Sequence, residues 1–434
     1  MVLKKVMPDI IIVLGGPEIS YETEKQPHLE WCDYVIKGEA DHSFRELCKQ
    51  VLGGEKPAQK IKVAELPEIK SLVLPYHLYS DDDIKNRVIY VEASRGCPYK
   101  CEYCLSSLDK SVRSFDLDLF LAEMHTLLSR GVRIFKFVDR TFNLSPTTST
   151  RILNFFLGHM QEFPGMFLHF ELVPDRLPQE IRELIQKFPQ GSLQFEIGIQ
   201  TLNPTVAQNV SRKNDLVKVE ENFKFLREHT TVHTHADLIV GLPGETLESF
   251  AAGFDRLAEF GPDEVQVGIL KRLRGTPIAR HETTYKMQYS EISPYAILST
   301  STMDYVTLQK MNRFAKFWDL YANSGEFKNF TAWLKTAKLA ESSLFQRFFN
   351  FSEYLSQSYS ETHSISLMNL AEKAWTYMLS AGAAEDVAAA IIEKDFCFGN
   401  KRRDLPVFLK AKTKMPENLP ASSSLNQRQL RHLN

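Results

Sequence analysis

No apolar run in this chain of 434 residues is long enough to cross a membrane. Its longest, such as Ile10 to Leu14, fall far short of the roughly 20 residues a membrane helix needs. A secretory leader is not expected either, because Met1-Val2-Leu3-Lys4-Lys5 meets Pro8-Asp9 before any long apolar segment. Charge of one sign is missing: 52 Lys and Arg against 54 Asp and Glu leave a net charge of −2. With no large basic block, nucleic acid is not a favoured partner, although a local patch stays open. Cysteine is scarce at six residues, three of them crowded into positions 97–104 and three scattered. That pattern excludes a disulfide framework and fits a reducing cytoplasm with a metal site. Cys32, Cys48 and Cys397 read as ordinary buried thiols. What is present, 43% apolar and 24% charged residues, is a globular composition with length for two or three domains.

Residues 1–55 read as part of an α/β unit. Pro8 to Leu14 is an apolar, β-branched run of the kind found in buried parallel strands. Gly15-Gly16-Pro17-Glu18 follows as a turn, Tyr34-Val35-Ile36 as a second strand, and a helix runs from about Asp41 to Leu52. Two strands and one helix make a truncated Rossmann-like fragment, and further strands are expected before Met1. Residues 56–85, with Pro57, Pro67 and Pro75, read as a linker. From 86 to 290 strands alternate with helices. The strands are Val88–Ser94, Val132–Asp139, Met166–Val173, Ser192–Gln200, Val232–Gly241 and Glu264–Leu270. Six βα units predict a parallel sheet with right-handed crossovers, two strands short of a closed barrel. The fold class is therefore α/β, a partial (β/α)6 TIM-like barrel. Residues 291–409 turn to helical periodicity and form a small C-terminal helical domain, with helices over Leu308–Leu320, Ser366–Met378 and Ala383–Ile392. The tail 410–434 is polar, carries Pro416 and Pro420, and is expected to be disordered.

The strands alternate polar and apolar residues. In Gln194 to Gln200 one face is Gln, Glu, Gly, Gln and the other Phe, Ile, Ile. His169 and Glu171, His235 and Asp237, and Tyr90, Glu92 and Ser94 repeat the split. An ordinary barrel interior is filled by branched aliphatic residues, so a polar one suggests a polar ligand. A self-satisfied hydrogen-bond network is the alternative.

The sharpest motif is Cys97-Pro98-Tyr99-Lys100-Cys101-Glu102-Tyr103-Cys104, on the loop after the first core strand. Parallel α/β barrels carry their sites at that carboxyl end. Three thiolates can hold three irons of a [4Fe–4S] cluster and leave the fourth open to bind a substrate atom. A zinc site or a chance cluster is the alternative, but zinc wants a fourth ligand and the loop has no His or further Cys.

This CxxxCxxC spacing, with Tyr103 before the last cysteine, resembles the signature of the radical S-adenosylmethionine (SAM) superfamily, and the resemblance extends over about 86–290. It implies that Cys97, Cys101 and Cys104 bind a [4Fe–4S] cluster whose open iron takes the methionine part of SAM. Reductive cleavage would then yield a 5′-deoxyadenosyl radical. Asp139, in Phe137 to Asn143, occupies the place of the family's Gly-Gly-Glu motif, which meets the SAM amino group; the sequence itself differs, and a structural Asp is the alternative. Glu196 and Gln200 match the segment bordering the ribose. Arg212 matches an arginine that pairs with the SAM carboxylate, for which a bidentate guanidinium is suited; a solvated arginine is the alternative. Ile239 and Gly241, in Asp237 to Thr246, resemble the motif beside the adenine, and Arg274 to Pro277 the sixth loop.

The segments Gly15 to Glu18 and Val35 to Asp41 resemble the second half of a cobalamin-binding domain, placing the chain in the cobalamin-associated branch, where many members are methyltransferases. The Asp-x-His-x-x-Gly segment of many such domains is absent. The C-terminal region resembles a domain of unknown function from the same branch. The resemblance implies a radical SAM enzyme acting on an unidentified substrate, with a cytoplasmic electron donor such as flavodoxin or ferredoxin. A non-catalytic iron–sulfur or zinc-binding barrel is the alternative.

Overall fold

The computed structural model describes residues 2–109, 111–337, 343–359 and 365–397, with positions 339, 341, 406 and 409. The tail 410–434, expected to be disordered, lies outside the described residues, as does the side chain of Cys397.

Strands β1 (Val13–Leu14), β2 (Tyr34–Lys37) and β3 (Ile61–Val63) form a small parallel sheet in that order. Only two residues of the Pro8–Leu14 run pair, and Asp33 accepts the Ile12 N–H at 2.7 Å where the strand would otherwise extend. The third strand lies within the segment 56–85 read as a linker, so that stretch is built into the fold. Cys32 is buried as expected, whereas Cys48 is only half-buried on its helix.

The main sheet has six parallel strands in sequential order: β4 (Ile89–Val91), β5 (Ile134–Phe137), β6 (Phe167–Leu172), β7 (Leu193–Gln200), β8 (His233–Val240) and β9 (Glu264–Ile269). This is the expected partial barrel. Helices Leu117–Ser129, Pro146–His159, Leu216–His229 and Leu247–Phe260 begin on side-chain caps from Asp116, Ser145, Asp215 and Thr246. Each cap satisfies amide N–H groups that a helix start leaves without partners. The outward strand face is apolar and fully buried, with Phe135, Phe137, Phe170 and Phe195 packed beneath the helices.

An open barrel has two edge strands, and an unpaired edge invites unwanted pairing. Both are covered by side chains. The Tyr79 hydroxyl donates to the Tyr90 carbonyl at 3.0 Å, and the Tyr76 hydroxyl accepts from the Glu92 amide at 2.9 Å on the β4 side. On β9 the buried Asn323 amide accepts from the Val265 N–H and donates to its carbonyl, each at 3.0 Å.

The C-terminal part is helical, with Tyr305–Trp318, Lys328–Thr336, Leu344–Ser358, Leu367–Ser380 and Glu385–Cys397. The second and third lie outside the helical stretches read from periodicity. Their aromatic residues, such as Phe330, Phe345 and Phe351, join one apolar core continuous with the barrel.

Candidate active site

The cysteine loop leaves β4 and is closed at its base by an antiparallel pairing of Ser94–Arg95 with Arg113–Ser114. Cys97 and Cys101 are buried and Cys104 half-buried. Burial pushes the Cys97 thiol above its ordinary value, and the two neighbouring cysteines add to the rise. The loop wraps one end of a cavity of about 220 Å³ at the carboxyl ends of the strands. Tyr99, Tyr103, Arg140, Glu171, Glu196, Gln200, Arg212 and Asp237 complete its wall.

Strand β7 supplies its floor. The pairing with β8 runs Asp237 to Gly198 and then Leu238 to Gln200, so Ile199 is an extra residue and the strand bulges there. Gln200 consequently has φ of +72°, a left-handed conformation unusual for a residue with a side chain. The bulge frees the Gly198 carbonyl, which accepts from Arg212 Nη2. Arg212 Nη1 donates to the Cys101 sulfur at 3.4 Å and to the Tyr103 hydroxyl at 3.2 Å. The guanidinium thus sits against the cysteine loop and fixes a permanent positive charge beside a sulfur.

Inside the barrel the polar strand faces converge. His169 Nε2 is 3.1 Å from Glu196 Oε2, and the nearness of that imidazole holds the Glu196 carboxyl below its ordinary range. Burial raises Glu171 despite Arg140 at 3.6 Å. Asp237 is raised well above the usual carboxylate range, first by burial and then by Glu196 and Glu171. Its Oδ1 is buried without a hydrogen-bond partner, and His235 Nε2 lies 3.7 Å away. Asp237 lines the cavity, so this oxygen is available to a group bound there.

The structure brings Cys97, Cys101, Cys104, Glu196, Gln200 and Arg212 around one cavity, joined by Glu171 and Asp237 of the polar inward face, but not Asp139, Ile239 or Gly241. Asp139 is buried behind the wall, accepting the Ala93 N–H at 3.0 Å and the Ser94 hydroxyl at 2.6 Å. It pins the exit of β4, and burial pushes it up to about 6. Gly241, with φ of +88°, faces the C-terminal segment; a Cβ there would lie 2.8 Å from Ile297 Cγ2. Ile239 is half-buried among core residues and lines no part of the cavity. Tyr90 and Glu92 line a separate cleft against the N-terminal unit, and Glu92 pairs with Arg95 at 3.0 Å. Arg274 is likewise turned outward, to Glu18 at 3.0 Å. Sequence reasoning missed Arg140 and the wall position of Tyr103, and it noted Glu171 and Asp237 only as inward-facing. For those two the alternation of polar and apolar residues was the available signal.

The donor set suits a [4Fe–4S] cluster better than a single ion. Among the described residues, three cysteines face the cavity and its wall carries no His and no fourth Cys, which matches three irons of a cubane held by one loop.

Residues 91–269 match the model of the radical SAM superfamily, and residues 283–433 match a protein of unknown function (DUF4080). The chain is 25% identical over 295 residues to a tRNA-2-methylthio-N(6)-dimethylallyladenosine synthase of Acinetobacter baylyi, covering 65% of this chain and 60% of the relative. It is 22% identical over 354 residues to an uncharacterized methyltransferase of Pyrococcus horikoshii, covering 73% and 74%. In fold it is similar to the radical SAM methyltransferase TsrM from Kitasatospora setae, with a TM-score of 0.53, 16% identity and coverage of 68% and 62%. It is also similar to the cobalamin-dependent SAM radical enzyme OxsB, with a TM-score of 0.54, 14% identity and coverage of 89% and 66%. Residues 91–269, which hold the cysteine loop and most of the six-stranded sheet around it, thus form a radical SAM domain within this chain.

Proposed function

We propose that this protein is a radical SAM enzyme that cleaves SAM reductively with a [4Fe–4S] cluster on Cys97, Cys101 and Cys104, and that the chemistry it starts is methyl transfer. The observation that carries the reading is the single cavity shared by the three cysteines, Arg212 and the carboxylates of β6, β7 and β8. When bound, the cluster supplies an electron and an open iron for the methionine part of SAM.

The chain's own residues do the rest. Arg212 steadies the Cys101 thiolate by a charge-assisted hydrogen bond. Tyr103, half-buried beside it, covers that side of the cavity. The His169 imidazole beside Glu196 holds its carboxyl below the ordinary range, while burial and the neighbouring carboxylates raise Asp237 on the same cavity wall. Glu196 and Gln200 are proposed to border the ribose of SAM.

Methyl transfer is supported by the names of the relatives. Cobalamin as a further cofactor is supported by the N-terminal unit, whose strand exits face the barrel's loops. Glu39, after β2, pairs with Arg95 at 3.0 Å, and Glu22, beyond β1, pairs with Arg272 at 3.0 Å. The electron donor is proposed to be flavodoxin or ferredoxin, in a cytoplasmic setting.

Anaerobic reconstitution with iron and sulfide tests the reading. A [4Fe–4S] spectrum, and 5′-deoxyadenosine or S-adenosylhomocysteine formed from SAM under reduction, are the expected results. One zinc with no inorganic sulfide, or no SAM-derived product, would refute it. Cobalamin titration separates the cobalamin route: complete loss of binding points to hydrogen abstraction without it.

A further inference from the structure

The cysteine loop contains a residue for which cluster binding alone gives no reason. Glu102 stands between Cys101 and Cys104, yet its side chain is turned away from the cavity and is only 4% exposed. A buried carboxylate is costly unless its oxygens are met by donors. Here they are. Oε1 accepts from the Ser211 hydroxyl and from Arg280 Nη2, each at 2.5 Å. Oε2 accepts from Arg280 Nε at 2.7 Å and lies 2.9 Å from His281 Nε2. The backbone of the same residue is bonded on both sides, its N–H to the Val210 carbonyl at 3.1 Å and its carbonyl to the Ile278 N–H at 3.0 Å.

These partners come from two other segments. Val210 and Ser211 immediately precede Arg212, the residue that touches the Cys101 sulfur. Ile278, Arg280 and His281 belong to the turn Pro277–His281, which follows β9 and leads into the C-terminal helical part. We propose that Glu102 is the positioning residue of the cysteine loop, tying it to the Pro277–His281 turn and to Ser211 and so setting where the Cys101 and Cys104 sulfurs stand. A two-residue spacer between thiolates leaves the loop many conformations; fixing its central residue at six hydrogen-bonding contacts removes most of them. The clamp also makes the cluster loop sensitive to the turn that opens the C-terminal part. The proposal rests on the cluster reading for its consequence, though not for the clamp itself.

The test uses the full chain with Glu102→Ala, Glu102→Gln and Arg280→Ala. Arg280 is 61% exposed at its side chain, so its removal leaves the core intact. In the metal-free proteins, deuterium uptake across residues 97–107 is expected to be about tenfold faster in E102A and R280A, and intermediate in E102Q, whose one amide oxygen keeps Ser211 and Arg280 Nη2 while its NH2 is set against Arg280 Nε. In the reconstituted proteins, iron release to a ferrous chelator is expected to be about tenfold faster in E102A and R280A. The electron paramagnetic resonance spectrum of their reduced cluster is expected to broaden, with E102Q again between E102A and the parent. Parent-like exchange, iron release and spectra in both E102A and R280A would overturn the proposal. If the parent takes up no iron and sulfide, the cluster reading fails and the exchange measurement alone decides the clamp.

Discussion

Gly241 offers a way to separate packing from ligand contact by a single added methyl group. Its φ of +88° lies where an L side chain is strained, and a Cβ would stand 2.8 Å from Ile297 Cγ2 and 3.6 Å from Leu308 Cδ2. Left-handed backbone costs a residue with a side chain about 1–2 kcal/mol. Forcing a methyl into filled space costs about 1–3 kcal/mol more. Gly241→Ala is therefore expected to destabilise the folded chain by about 2–5 kcal/mol. Urea denaturation followed by tryptophan fluorescence and circular dichroism reads this as a lowered midpoint with an unchanged slope. Repeating the substitution in an Ile297→Ala background removes the obstructing methyl, so the packing part, about 1–3 kcal/mol, should vanish while the backbone strain remains. SAM affinity of the folded G241A protein should equal that of the parent. A loss below about 1 kcal/mol, or an unchanged loss in the I297A background, would refute the packing account. Weakened SAM binding at full stability would return Gly241 to the adenine site.

Three further outcomes follow from the geometry. Arg212→Ala should destabilise the metal-free protein by about 2–3 kcal/mol in denaturant titrations, because the Gly198 carbonyl and Tyr103 hydroxyl lose a charged donor. Glu245, 2% exposed, is pushed up from 4.5 to about 7, chiefly by burial. A carboxyl raised in the folded state binds more protons there, so its contribution is present at low pH and is lost as pH rises from about 4.5 through about 7. Glu245→Gln should abolish that decline, gaining at most about 3 kcal/mol over the parent between pH 4.5 and pH 8, read as denaturation midpoints; an identical pH profile would contradict the assignment. Asp237→Asn should raise the midpoint by about 1 kcal/mol by removing a carboxyl that faces Glu196 and Glu171, and should weaken SAM binding by calorimetry. A lowered midpoint would show that Asp237 is structurally satisfied.

The parts of the fold that repeat a pattern were legible. Alternation in Gln194 to Gln200 located β7 and its inward face. Pattern failed where tertiary contacts decide. Three residues at Ile61–Val63 pair because β2 lies alongside, and nothing local distinguishes them from a proline-bearing linker. Helix Leu344–Ser358 is different: it buries Phe345, Phe348, Phe351 and Leu355 along one face, a spacing that periodicity could have revealed. At the site, the cysteine spacing was sufficient to find the loop. For Asp139, position in a motif cannot reveal the hydrogen bonds that its oxygens accept from the Ala93 N–H and the Ser94 hydroxyl. Glu102 escaped notice because its partners lie more than 100 residues away in sequence.

The Asn323 side chain on the outer edge of β9 bears on how this protein can be divided. By giving Val265 an acceptor and a donor 3.0 Å away, it stands in for the next strand of a barrel that stops at six. The C-terminal helices therefore supply a piece of the barrel's own hydrogen bonding. A chain cut after residue 290 would end beyond the last strand yet leave that strand's amides bare and a shared apolar core exposed. The unit that folds is thus larger than the unit that carries the cysteine loop, and the two stretches matched by separate families are interdependent halves of one body.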